Sequence, residues 1–201
     1  MSQARGARGQ RQRGARMSAD ERRKMVLDAA IVEFASYGLH GVSTDTIAER
    51  VGVSQPYVIR LFGSKKELFL EAGHKVFDRI LDSLRAEVKK RSEEPTLAMK
   101  RAYVRLAALP EELLMMLQAL TASKDPEVRG AVYQRLEEVY AYVEKVTGES
   151  SENIRLLFAQ AMLLTISASI DLYSVAEEKD WARVLLGLEG RNVEKNAEQT
   201  S

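Results

Sequence analysis

Between Ser43 and Glu67 the chain reads STDTIAERVGVSQPYVIRLFGSKKE, a stretch that leaves the backbone few options. Ser43 is an N-cap residue, whose hydroxyl takes a first-turn N–H. Ile47, Ala48 and Val51 then share one side of a short helix, and Gly52 stands where a C′ glycine ends it. Val53 plugs the turn. Ser54 caps a second short helix with Pro56 in its first turn, where a missing N–H costs nothing. Gly63 closes that helix, and Ser64-Lys65-Lys66-Glu67 has the spacing of a capping box that opens a third. Two short helices joined by a glycine-containing turn form a helix-turn-helix plan.

The flanking segments extend this plan into an all-α chain. Ser18 to Glu21 is a second capping box, starting a helix that ends at about Tyr37 before Gly38. Its apolar residues Val26, Ala29, Ala30 and Phe34 are expected to face the next two helices. From Ser64 a long helix is predicted to about Arg91, with Leu68, Phe69, Ala72, Val76, Phe77, Ile80, Leu81 and Leu84 keeping the apolar period. Pro95 interrupts it. Helices are then predicted over 96–108, 111–122, 125–146, 152–172 and 177–188, and no run alternates with period two. The expected domains are a disordered basic arm (1–17), a helix-turn-helix domain (18–66), a helical effector-binding and dimerisation domain (67–190) and a flexible tail (191–201).

Charge divides the chain in the same place. Residues 1–66 carry net +6 and residues 67–201 net −5, so the first part is the one suited to a polyanion. Five arginines and no acid lie in the first 17 residues, a composition that cannot build a core but can reach DNA phosphates or the minor groove. The chain has no cysteine and only two histidines, His40 and His74, on separate segments. No metal site, cofactor or catalytic set is therefore expected, and a helical-bundle enzyme has no convergent nucleophile and base to support it. No apolar region follows the basic N-terminus. The longest uncharged run, Leu156 to Ile170, is too short to span a bilayer and contains Gln160, Thr165, Ser167 and Ser169. A cytoplasmic location without membrane contact is the expectation.

The order Val26, Ala30, Phe34, Gly38, then Ile47-Ala48, Gly52-Val53-Ser54, Phe62 and Ser64-Lys65 with Glu67-Leu68 resembles the N-terminal domain of TetR-family transcriptional regulators. The resemblance covers about residues 20–70; beyond it only length and helicity agree. It implies a homodimeric repressor on a palindromic double-stranded DNA operator, released by an unknown small-molecule effector held in the C-terminal domain. The alternative is a helix-turn-helix DNA-binding or interaction protein with no effector.

On the second reader helix, Val58, Ile59 and Phe62 fall on one side and Pro56, Tyr57 and Arg60 on the other. The second set, with Gln55 at the helix tip, is expected to face the major groove. Arg60 suits guanine or phosphate, Gln55 adenine, and Tyr57 phosphate or a thymine methyl. Lys65 matches a phosphate contact of the family, and Thr44 is a further DNA-binding candidate. The family commonly has a contacting tyrosine at the position of Ile59; here that residue is apolar and Tyr57 lies two residues earlier.

For an effector pocket the candidates are Met99, Tyr103, Met115, Gln118, Tyr133, Tyr140, Phe158 and Met162, adaptable or aromatic side chains with a few polar groups. For the dimer, the resemblance implies a four-helix interface from the last two long helices. Leu156, Leu163, Ile166 and Ile170 form one stripe, with Ala159, Ala161, Ser167 and Ala168 permitting close approach. Trp181, Val184, Leu185 and Leu188 supply the second face.

Overall fold

A computed structural model describes residues 17–90, 94–107 and 110–188, and these form ten helices without a strand. The expected arm, Met17 apart, and the expected tail lie outside the described residues. Ser18 starts α1 (Ala19–Gly41) with a complete capping box: Glu21 N donates to Ser18 Oγ at 3.1 Å, and Ser18 N donates to Glu21 Oε2 at 2.7 Å. α2 (Thr44–Arg50) follows Ser43, whose hydroxyl accepts from Thr46 N at 3.1 Å. Gly52, at φ +67°, makes the turn into α3 (Gln55–Phe62). Ser54 occupies the N-cap of α3 but makes no side-chain cap bond. The box at Ser64 is half formed: Ser64 Oγ accepts from Glu67 N at 3.1 Å, while the Glu67 carboxylate folds over Gly63.

α4 (Lys65–Lys90) is the axis of the molecule, 26 residues and therefore about 39 Å long. Its first turn touches the helix-turn-helix; its body packs on α5 (Pro95–Leu106), α6 (Pro110–Thr121) and α7 (Pro126–Thr147). Pro95 fills the first position of α5. α1 buries Val26, Ala29, Ala30 and Phe34 as its period requires. Its neighbours differ from the expectation: α1 packs far more on α6 and α4 than on α2. One apolar core thus runs without interruption from Val26 to Ala168. Ion pairs reinforce the junction. Arg79 of α4 donates to Asp28 of α1 (2.5 Å) and Glu112 of α6 (3.2 Å). Arg50 of α2 meets the buried Glu33 of α1 at 2.5 Å.

Gly38 breaks α1 where the sequence places a stop, and one further turn reaches Gly41. Gly38 lies at φ +70°, ψ 177°, a region open essentially to glycine. A Cβ there would meet Gln118 Oε1 of α6 at 2.7 Å. Gly38→Ala is expected to destabilise the chain by about 1–3 kcal/mol. A urea midpoint indistinguishable from the parent would contradict this account of the kink.

The end of the chain departs from expectation. The predicted helix 152–172 is α8 (Ser151–Ser169), and it stops short of Leu172. Ser167 and Ser169 donate to the carbonyls of Leu163 and Ile166, competing with the helical ladder. Asp171 then adopts φ +49°, which an aspartate tolerates better than most residues. α9 (Leu172–Val175) follows, and the predicted helix 177–188 shrinks to α10 (Asp180–Leu185). Leu172, Ala176, Ala182 and Leu186 hold this end together as a small separate cluster. The last helix is therefore a short one, where the expectation was a second long helix. No helix among the described residues is long and apolar enough to cross a membrane.

Candidate nucleic-acid interface and interhelical cavity

α3 is amphipathic, and the core fixes how it is turned. Val58 and Phe62 are buried where α3 packs on α2 and α4, and Ile59 is half-buried. Pro56 and Arg60 are exposed and Tyr57 is half-buried, on the opposite side. Arg23 of α1 locks the helix end: its guanidinium lies 4.2 Å from the Phe62 ring centroid and donates to Leu61 O and Glu71.

Two contacts preorganise the outward face. Gln55 Nε2 donates to Thr44 Oγ1 at 3.1 Å. That bond aims the Gln55 amide while leaving its oxygen and second N–H free. Thr44 itself is buried, so its place is behind Gln55. The Arg60 guanidinium lies 4.9 Å from the Tyr57 ring centroid, a cation–π arrangement that limits the freedom of a long side chain. Lys65 Nζ donates to Val42 O at 2.9 Å, pinning the α4 N-terminus to the α1–α2 connection with two ammonium protons still available. Arg22, which the sequence did not single out, shares a groove with Met17, Met25, Gly52, Ser54 and Tyr57. It belongs to the first turn of α1, and only the fold brings it beside the reader helix.

The second feature is a cavity of about 470 Å³ between α4, α5, α6, α7, α8 and α10. Four of the eight effector candidates line it: Met99, Tyr103, Phe158 and Met162. The other four do not. Met115 is fully buried in the core, and its neighbour Met116 faces the cavity instead. Successive helical residues differ in direction by about 100°, so only one of the pair can point there. Gln118 is occupied at the α1 kink, where Nε2 donates to Ala35 O at 3.4 Å. Tyr133 is 64% exposed; Tyr140 sets its ring 6.3 Å from that of Phe158 and donates its hydroxyl to Glu144 Oε1 at 3.0 Å, but does not itself line the cavity. α7 faces the cavity with Leu136, Val139 and Val143.

One polar pair lies in the wall. Tyr103 Oη and Thr165 Oγ1 are 2.7 Å apart, and the Thr165 hydroxyl also lies 2.9 Å from Ala161 O, which can only accept. Thr165 therefore donates to that carbonyl and Tyr103 donates to Thr165. Burial pushes the Tyr103 phenol up to about 12, keeping it neutral.

α4 joins the two features. Phe77, Ile80 and Leu84 form cavity wall, while Lys65 and Lys66 occupy its first turn. Lys66 reaches Asp125 (3.5 Å) and Glu127 at the start of α7. The hydrogen bond to Glu127 raises its pKa. Farther along, Arg135 of α7 donates to His74 O (2.9 Å) and Asp78 Oδ1 (2.5 Å) of α4.

Residues 26–72 match the profile of bacterial regulatory proteins of the tetR family. The chain carries a tetR-family domain. The transcriptional activator FasR of Mycolicibacterium smegmatis is 37% identical over 81 residues, 40% of this chain and 37% of FasR. The transcriptional regulator RutR of Escherichia coli K12 is 33% identical over 85 residues, 42% of this chain and 39% of RutR. These matches thus span well under half the length of either relative. The fold is shared over more of the chain. A TetR-like transcriptional regulator from Rhodococcus sp. RHA1 superposes with a TM-score of 0.61 at 21% identity, covering 88% of this chain and all of that one.

Proposed function

We propose that this chain is a cytoplasmic, DNA-binding transcription regulator: a homodimeric repressor that leaves a palindromic operator when a small molecule occupies the cavity between α4, α5, α7 and α8. The observation that carries this reading is the continuity of α4, which is capped against the helix-turn-helix at Lys65 and walls the cavity at Phe77, Ile80 and Leu84. A ligand that favours a different α4 position shifts the population toward dimers whose reader helices no longer match the operator. The alternative without an effector has no use for a ligand-sized cavity on that same helix.

Gln55, Pro56, Tyr57 and Arg60 meet the major groove in this reading, Lys65 holds a phosphate, and Thr44 orients Gln55. Leu156, Leu163 and Ile166 of α8, Ile170 at its C-cap, and Trp181, Val184 and Leu185 of α10 are 37–63% exposed in the single chain. Leu188 is half-buried beside them. Apolar exposure of this kind along adjoining helices marks an interaction surface.

Selection from a random duplex pool tests the proposal. Inverted half-sites spaced by about one DNA turn, or a multiple of it, are the expected result; a pool without enrichment would remove the reading. On the selected duplex, Arg60→Ala is expected to cost about 1–3 kcal/mol in specific binding while relaxing base preference at one position per half-site. A uniform loss over all sequences would reassign Arg60 to phosphate.

A further inference from the structure

The cavity lining is almost wholly apolar, and its exceptions are unevenly placed. Deep in the wall, the Tyr103 hydroxyl is already spent on Thr165. Lys100 and Gln160, the other two polar side chains, are exposed and so stand at the mouth. Lys100 is the one charged residue among the lining residues, and it makes no ion pair or hydrogen bond among the described residues. No carboxylate among the described residues lines the cavity.

We infer that the ligand of this cavity is an amphipathic anion: an unbranched apolar chain enclosed by Phe77, Ile80, Leu84, Met99 and Met162, with a carboxylate head held at the mouth by Lys100. This assignment rests on reading the cavity as the effector site. The chemistry selects each part. A carboxylate placed deep would lack a donor, because the Tyr103 hydroxyl proton is already given to Thr165, and an unpaired polar group is costly to bury. An apolar chain instead gains about 0.8 kcal/mol for each methylene removed from water. A methylene takes up about as much room as a water molecule, ~30 Å³, so 470 Å³ accommodates roughly ten to fifteen chain atoms. At the mouth, a cation without a protein partner favours a negative head over a neutral or positive one, and Gln160 offers a second N–H beside it.

Dodecanoate, dodecan-1-ol and dodecylammonium, titrated into the full chain below micellar concentration, separate the parts of this claim. Trp181 is the only tryptophan and sits on α10, whose Val184 and Leu185 edge the cavity, so its emission reports occupancy alongside calorimetry. Dodecanoate is expected to bind one per chain, and dodecylammonium at least about tenfold more weakly, because it meets Lys100 with a like charge. Lys100→Gln is expected to weaken dodecanoate about five- to tenfold, as loss of a charge-assisted hydrogen bond at an exposed site implies, while leaving dodecanol unchanged. Lys100→Arg is expected to keep most of the dodecanoate affinity. Equal binding of the three probes, an equal effect of Lys100→Gln on dodecanol, or no binding at all would overturn the inference. Operator affinity, measured separately on the selected duplex, keeps the two proposals distinct. If dodecanoate binds as expected and the operator complex is unaffected, the head-group assignment stands and ligand-released repression fails. If the operator is bound and no probe enters, the ligand class alone fails.

Discussion

Phe34→Ala is expected to destabilise the protein by about 3–5 kcal/mol, a large part of the 5–15 kcal/mol typical of a folded domain. Phe34 is fully buried, and its ring meets the Phe69 ring edge-on with centroids 5.0 Å apart. Its removal leaves a void between α1 and α4 and deletes an aromatic pair whose geometry adds to simple area burial. The site has little freedom to collapse, because Val26, Ala30, Leu68 and Ala72, also fully buried, lie on the same two helices. Since the apolar core is continuous from Val26 to Ala168, the loss belongs to the whole chain and not to a separate reader domain. Thermal unfolding followed by far-UV circular dichroism is expected to show one transition, lowered by about 6–20 °C at 2–4 °C per kcal/mol. Phe34→Leu, which keeps most of the volume, is expected to cost less than half as much. Two transitions, with only the first displaced, would mean that the helix-turn-helix unfolds independently.

The parts of this fold written in local chemistry were legible in the sequence. Ser18, Ser43 and Gly52 specify helix boundaries through their own backbone and side-chain preferences: the two serines start α1 and α2 where expected, and Gly52 makes the turn after α2. Amphipathic period likewise placed Val58 and Phe62 inside and Arg60 outside. The C-terminal break was not legible. Leu156 to Ile170 reads as unbroken helix because its serines are tolerated there one at a time. At the stop, two hydroxyls, Ser167 and Ser169, take the carbonyls of Leu163 and Ile166 ahead of the left-handed Asp171. The packing of α1 on α6 was also hidden, since a buried face does not say which helix covers it.

The site divides in the same way. Identity and helical phase were enough to bring Gln55, Tyr57 and Arg60 to one face. The bond from Gln55 to Thr44, the stack of Arg60 on Tyr57 and the approach of Arg22 depend on rotamers and tertiary placement, which no spacing rule supplies. In the cavity, adjacent apolar residues made the phase ambiguous. Met115 and Met116 are chemically equal on paper, and about 100° of rotation decides that the second lines the cavity. Tyr133 and Tyr140 suit a pocket on paper because they are aromatic, yet Tyr133 is exposed, and the Tyr140 ring backs Phe158 from outside the cavity with its hydroxyl committed to Glu144. Lys100 was overlooked for the opposite reason: a lysine on an amphipathic helix ordinarily marks the solvated side, and only the cavity gives it a second meaning.

Ile166→Arg is expected to convert the protein to monomers and, with that, to lower operator affinity by about a hundredfold or more. Ile166 is 51% exposed on α8, between Leu163 at 37% and Ile170 at 63%. In a two-fold interface one patch meets its own copy, so a single substitution places two arginines in the contact. Each is desolvated there, and α8 itself offers no acidic residue beyond Glu152 in its first turn to pair with it. In the separated chain the same arginine simply points into water. The folded monomer therefore loses little, and its helical content and melting point at low concentration are expected to stay close to the parent's. Operator binding suffers through geometry instead. Two reader helices on one dimer engage the second half-site at high effective concentration, an advantage of about 10²–10⁴ that a monomer lacks. Analytical ultracentrifugation paired with gel-shift titration on the selected duplex measures both effects. A variant that still sediments as a dimer would exclude the α8 stripe as the interface. A monomer with undiminished affinity would show that one reader helix suffices, and the palindromic operator would then have to be abandoned.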